Sequence, residues 1–105
     1  MHAADWARGA RLDEIGSAMG GIIVPNVANA MAAAGLALGM GLSGAPIRAG
    51  LRALRNSPQE TPERFNFIED LPVRMLFDRA TIVPGFTAVL PVIDSIPVDG
   101  RRICV

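Results

Sequence analysis

The sequence contains no lysine. All ten of its cationic side chains are arginine, set against ten Asp and Glu. A Walker A loop places a Lys against the β- and γ-phosphates, and a Schiff-base enzyme builds its covalent intermediate on a Lys amine, so both chemistries are excluded. Cysteine and histidine are almost as scarce. Cys104 and His2 each occur once, near opposite ends of the chain, and disulfide frameworks, zinc sites and Cys-His or Ser-His-Asp catalysis lack their constituents within one chain. A lone cysteine fits a reducing cytoplasm and reads as an inert, buried thiol. Charge of one sign is missing too. With a net charge of zero and no basic block, the long-range attraction behind non-specific nucleic-acid binding is absent, and nucleic acid is not an expected partner.

The 105 residues suffice for one small domain or parts of two. A folded monomer of this size buries only about two-thirds of its chain surface, which leaves little material for an elaborate active site. Half of the residues are apolar and the mean hydropathy is +0.34, a composition that folds or associates rather than staying disordered.

From Ile15 to Ile47 the chain carries no charge, long enough to raise the question of a membrane span. Pro25, Asn26 and Asn29 interrupt the run, its apolar content is mostly Ala and Gly, and Gly20-Gly21 breaks it near its start, all of which argue against a span. Gly35 and Gly39 form a small-xxx-small pair, a spacing that also lets soluble helices pack closely. Asp5, Asp13 and Glu14 are incompatible with the basic leader of a secretory signal. Pro25 suits the first turn of a helix, and Val27, Met31, Ala34 and Leu38 follow at helical spacing, which predicts a helix from Pro25 to about Gly39 closed by Gly39, Gly41 and Gly44. A second helix starts near Pro46, with Ile47, Leu51 and Leu54 on one face and a solvated stripe of Arg48, Arg52 and Arg55 on the other. The polar, proline-marked stretch Asn56 to Pro62 reads as a connector and divides the chain into segments 1–58 and 62–105.

Beyond the connector, Phe65 to Ile68 and Val73 to Phe77 read as short strands, Pro84 to Ile96 as a helix, and Arg101 to Val105 as a closing strand. Strand, crossover helix and strand make a right-handed βαβ unit. The expected fold class is therefore α/β, a helical hairpin followed by a partial Rossmann-like βαβ unit that stops partway through an α/β domain.

Three motifs in this order resemble a known family. Gly20-Gly21 followed by Pro25-Asn26-Val27-Ala28-Asn29-Ala30-Met31-Ala32-Ala33-Ala34 resembles a motif near the end of the central ATP-binding domain of the Mur ligase superfamily. Pro62-Glu63-Arg64-Phe65-Asn66-Phe67-Ile68-Glu69 resembles the Gly-Arg-Phe-Asn segment that joins that domain to the carboxy-terminal one. Val73 to Asp78, with Gly85-Phe86 and Leu90-Pro91-Val92-Ile93-Asp94, resembles the first strand and helix of the carboxy-terminal domain. The nearest branch is the cyanophycin synthetases, whose Mur-like half uses ATP to add arginine to polyaspartate. The similarity runs from about Asp13 to Val105 and would make the fold incomplete relative to a Mur ligase.

By that resemblance Asn29 faces the adenine with Asn26 beside it, a role for which a carboxamide can both donate and accept. Arg64 approaches the nucleotide phosphates, which a guanidinium fork suits. Asp78 contacts the ribose at a strand end, where α/β folds place ligands. Read without the family, Asn26 and Asn29 are helix-start caps, Arg64 a surface ion-pair residue and Asp78 a turn or cap residue. The chain also departs from the family. The usual Asp-Tyr-Ala-His-Asn-Pro is here Asp78-Arg79-Ala80-Thr81-Ile82-Val83, which removes an imidazole and an amide. The P-loop and the magnesium-binding acids lie outside the match, so no catalytic or metal-ligating residue is assigned and any ATP affinity is expected to be weak. Two other readings stand beside it. One is an interaction module that completes its sheet through self-association or a partner chain; the other is a small membrane-associated protein.

Overall fold

The computed structural model describes residues 10–105; His2 and Asp5, used above, lie outside them. Two 3₁₀ segments, Leu12–Glu14 and Gly16–Gly21, lead into helix α1, Val24–Gly39, and helix α2, Gly44–Ala53. Strands β1, Asn66–Ile68, and β2, Met75–Phe77, are followed by helix α3, Val83–Ser95. Mixed helix with a small sheet is the architecture. None of the described helices is long and apolar enough to cross a membrane.

Local chemistry sets the helix ends. Pro25 sits in the first turn of α1 and Pro84 in that of α3, where a missing N–H costs nothing and the fixed φ is already helical. At the far end of α1, the Gly41 N–H donates to the Leu38 carbonyl at 2.9 Å and the Leu42 N–H to the Ala37 carbonyl at 3.0 Å. Gly41 takes φ 90°, so this is a Schellman motif that requires a residue free of Cβ crowding.

Two apolar clusters hold the chain together. Ile15, Ala18 and Ala30 form one, with Val27 and Leu51 against it. The second joins Ile23, from before the connector, to Phe65, Val89, Val92 and Ile96, from after it. Segments 1–58 and 62–105 thus share a core at Ile23. The arginine stripe is solvated, with Arg52 and Arg55 exposed and Arg48 half-buried, and its members make surface contacts. Arg52 forms an ion pair with Glu14, and Arg55 Nη1 donates to the Arg52 carbonyl at 2.7 Å. An N–H donated by Arg11, together with Arg52, holds the Glu14 carboxyl below the usual glutamate range.

The sheet differs from the expected unit. β1 and β2 pair antiparallel as a two-stranded ribbon, with Asn66 opposite Phe77, Phe67 opposite Leu76 and Ile68 opposite Met75; of the expected βαβ unit only the strand around β2 and the helix α3 are present among the described residues. The closing strand does not form. Arg101 to Val105 is irregular and exposed, and Arg102 Nη2 donates to the Ile96 carbonyl at 2.7 Å. The physical reason is the length of the available edge: β2 is three residues long and offers too few ladder bonds to offset the ordering of five more residues. Capping the end of α3 is the better use of Arg102. Cys104 is likewise exposed rather than buried, because its segment finds no partner surface.

Candidate functional site

The backbone on both sides of Arg64 is left-handed. Glu63 has φ 62° and Phe65 φ 47°, left-handed conformations that are uncommon for side chains of this size. Three features hold them there. Asn66, 3% exposed, accepts the Glu63 N–H at 2.9 Å and donates through Nδ2 to the Thr61 and Arg64 carbonyls, both at 3.0 Å. Asp78 Oδ2 accepts the Phe65 N–H at 3.0 Å. The Arg79 N–H donates to the Glu63 carbonyl at 2.8 Å, and Arg79 Nη1 meets Glu63 Oε2 at 3.0 Å. The Arg64 N–H is spent on the Thr61 carbonyl at 3.2 Å. No backbone donor of residues 63–65 is left for an anion, so the turn can bind one only through the Arg64 side chain.

Arg64 itself is exposed, and no ion pair reaches it among the described residues. Asp78 is half-buried, and its Oδ1 is buried with no hydrogen-bond partner in the structure. An orphaned carboxylate oxygen closed off from solvent is costly. Arg64 and Asp78 are thereby brought together around one turn, linked through Phe65.

The asparagines form a separate group. Asn26 Nδ2 donates to the Ser17 carbonyl at 2.7 Å and to Asn56 Oδ1 at 3.1 Å, and Asn56 Nδ2 donates to the same carbonyl at 2.6 Å. Asn26 is therefore a clamp between the 3₁₀ segment, α1 and the connector rather than a cap. Its amide donor is already committed. Asn29 lies one turn further along α1, is exposed, and makes no side-chain hydrogen bond among the described residues. No hydrogen bond or ion pair joins either asparagine to Arg64 or Asp78 among the described residues; the link between the groups is the packing of Ile23, just before α1, against Phe65.

A cleft of about 460 Å³ opens between α1 and α3, lined by Val24, Pro25 and Ala28 on one side and Ala88, Pro91 and Val92 on the other. Thr87 and Ser95 also border it, but their hydroxyls donate within α3 to the Val83 and Pro91 carbonyls. No charged side chain lines it, and neither do Asn26, Asn29, Arg64 and Asp78. Among the described residues no group of His, Cys, Asp or Glu could hold a metal ion.

Sequence reasoning overlooked Asn56 and Asn66. Asn56 opens the proline-marked connector and Asn66 opens β1 just beyond it, places where a short amide that can tie down turn backbone is a known device. It also missed a pairing between two departures from the family pattern. Glu63 stands where the resembling segment has Gly, Arg79 where it has Tyr, and the two form an ion pair. Glu63→Gly is expected to raise stability by about 0.5–1 kcal/mol, because relief of the left-handed strain exceeds the added chain entropy and a weak surface pair. Glu63→Ala keeps the strain, loses the pair and is expected to lower stability. Thermal melts of the two variants check the opposite signs, and a Gly variant below the parent would remove the strain argument.

No protein-family model, curated protein or solved structure matched the chain.

Proposed function

We propose that the chain carries the nucleotide-facing junction of an ATP-dependent amino-acid ligase resembling the cyanophycin synthetases, and that it binds ATP weakly without catalysing ligation by itself. The observation that carries this reading is the strained turn. It leaves one unpaired arginine exposed, at the position where the resembling motif meets nucleotide. Backbone held in rarely populated conformations costs of order 1 kcal/mol or more per residue and concentrates at ligand-binding segments. In this reading Arg64 meets the phosphates and Asn29, with its amide uncommitted, takes the adenine edge; the ribose contact that the resemblance implies for Asp78 is not kept, because its Oδ1 is buried and Oδ2 holds the Phe65 N–H. Asn26 serves as the clamp that places α1. The partial Rossmann-like unit of this reading would be completed only when further strands meet β2.

With no lysine in the chain, nothing supplies a Walker-type cradle for the triphosphate, so affinity is expected in the high-micromolar range or weaker. Titration calorimetry with Mg·ATP checks it. Low-micromolar or tighter binding would overturn the weak-binding claim, and an Arg64→Ala variant with unchanged ATP affinity would overturn the phosphate-facing role of Arg64.

A second reading, an interaction module, is favoured by the apolar row Val83, Phe86 and Leu90 on α3, which is 77%, 47% and 52% exposed, together with the open edge of β2. Sedimentation over a range of concentrations separates the two. A monomer independent of concentration would count against self-association.

A further inference from the structure

The Asp78-Arg79 pair grips both left-handed residues that flank Arg64. Asp78 holds the Phe65 N–H through Oδ2 at 3.0 Å, and Arg79 holds Glu63 through its backbone N–H at 2.8 Å and its guanidinium at 3.0 Å. The two residues sit just beyond β2, which is itself registered on β1 through the Asn66–Phe77 pair. The end of the ribbon and the turn are thus one mechanical unit. We infer that Asp78 and Arg79 are positioning residues for Arg64, holding the 61–66 turn in the geometry that keeps its guanidinium exposed and unpaired. The ligand half of this inference rests on the phosphate-facing reading of Arg64; the backbone half does not.

Each grip has a different chemistry, and the variants separate them. Asp78→Ala leaves the Phe65 N–H without its charge-assisted acceptor, whereas Asp78→Asn keeps an amide oxygen in the same place. Arg79→Gln removes the ion pair and spares the backbone bond, and an exposed pair contributes little. Tryptic cleavage of the full chain at the Arg64–Phe65 bond, relative to cleavage after Arg48 and Arg101 in the same digest, reads how often the turn opens. The relative cleavage is expected to rise about tenfold in Asp78→Ala. It should return near the parent value in Asp78→Asn and rise about twofold in Arg79→Gln.

The second readout is affinity for Mg·ATP and for adenosine, by ligand-observed magnetic resonance. Asp78→Ala is expected to weaken ATP binding about as much as Arg64→Ala, with adenosine binding unchanged, and the Asp78→Ala/Arg64→Ala double variant is expected to be no weaker than Arg64→Ala. Unchanged cleavage in Asp78→Ala overturns the inference, as does a double variant whose losses multiply. If Arg64→Ala alone leaves ATP affinity unchanged, the phosphate-facing reading fails and the cleavage pattern decides the turn assignment independently.

Discussion

Ile23→Ala is expected to lower the unfolding free energy by about 3–4 kcal/mol, the upper part of the range for an isoleucine truncated in a packed core. Ile23 is fully buried, and its neighbours Phe65, Val89, Val92 and Ile96 all come from the other side of the connector. Its backbone is equally committed. The N–H donates to the Ala18 carbonyl at 3.0 Å, and its carbonyl accepts from Asn26 and Val27 at 3.0 and 3.2 Å. The side chain cannot be replaced by local collapse, because the backbone that carries it is fixed by these bonds. A small domain has about 5–15 kcal/mol in total, so the variant should sit close to its unfolding midpoint in dilute urea. Leu36→Ala, at a residue 69% exposed on the same stretch of chain, is expected to change stability by less than about 0.5 kcal/mol. Urea denaturation of both variants checks the contrast. A loss below about 1 kcal/mol for Ile23→Ala would mean that the two segments do not share a core.

Asn66→Ala is expected to cost about 2–3 kcal/mol for a reason unrelated to apolar packing. The amide makes three hydrogen bonds to backbone groups of the 61–66 turn, and its removal takes their partner from the Glu63 N–H and the Arg64 carbonyl, and one of two donors from the Thr61 carbonyl, in a site that is 3% exposed. Asn66→Asp is the sharper variant. It keeps the acceptor for Glu63 but sets a carboxylate against the Thr61 and Arg64 carbonyls, so it should be at least as damaging at neutral pH and should recover as the pH falls and the acid gains a proton to donate. The sign is that of a carboxylate whose folded state prefers the protonated form, with stability greater below its folded pKa than above it. Thermal melts at pH 4 and pH 7 test this. An Asp variant as stable as the parent at pH 7 would show that the amide donors are dispensable.

The helices were legible because their signals are local. Pro25 and Pro84 mark first turns, Gly41 closes α1, and Val27, Met31, Ala34 and Leu38 repeat at helical spacing, all within a few residues of the structure they specify. The short strands were legible for the same reason. Their direction was not, because a run such as Val73 to Phe77 reads alike in parallel and antiparallel pairing; the partner decides. Arg101 to Val105 has the alternation of a strand, yet a strand gains stability only by meeting another, and Arg102 instead caps α3. At the site, residue types pointed to Arg64 and Asp78 individually. That Glu63 and Phe65 would take left-handed backbone, and that Asp78 and Arg79 would hold them, depends on chain segments more than ten residues apart.

By itself the sequence determined which residue-dependent chemistries have no constituents here and placed the three α-helices, though Gly44 starts the second helix rather than closing the first and the two 3₁₀ segments left no signal; residue types and short spacings carry that much. Only the tertiary structure decided which polar groups are spent and which are free. Asn26 is consumed by Ser17 and Asn56, and Arg64 is left open, because hydrogen-bond partners are assigned by proximity in space, which the order of residues along the chain does not contain.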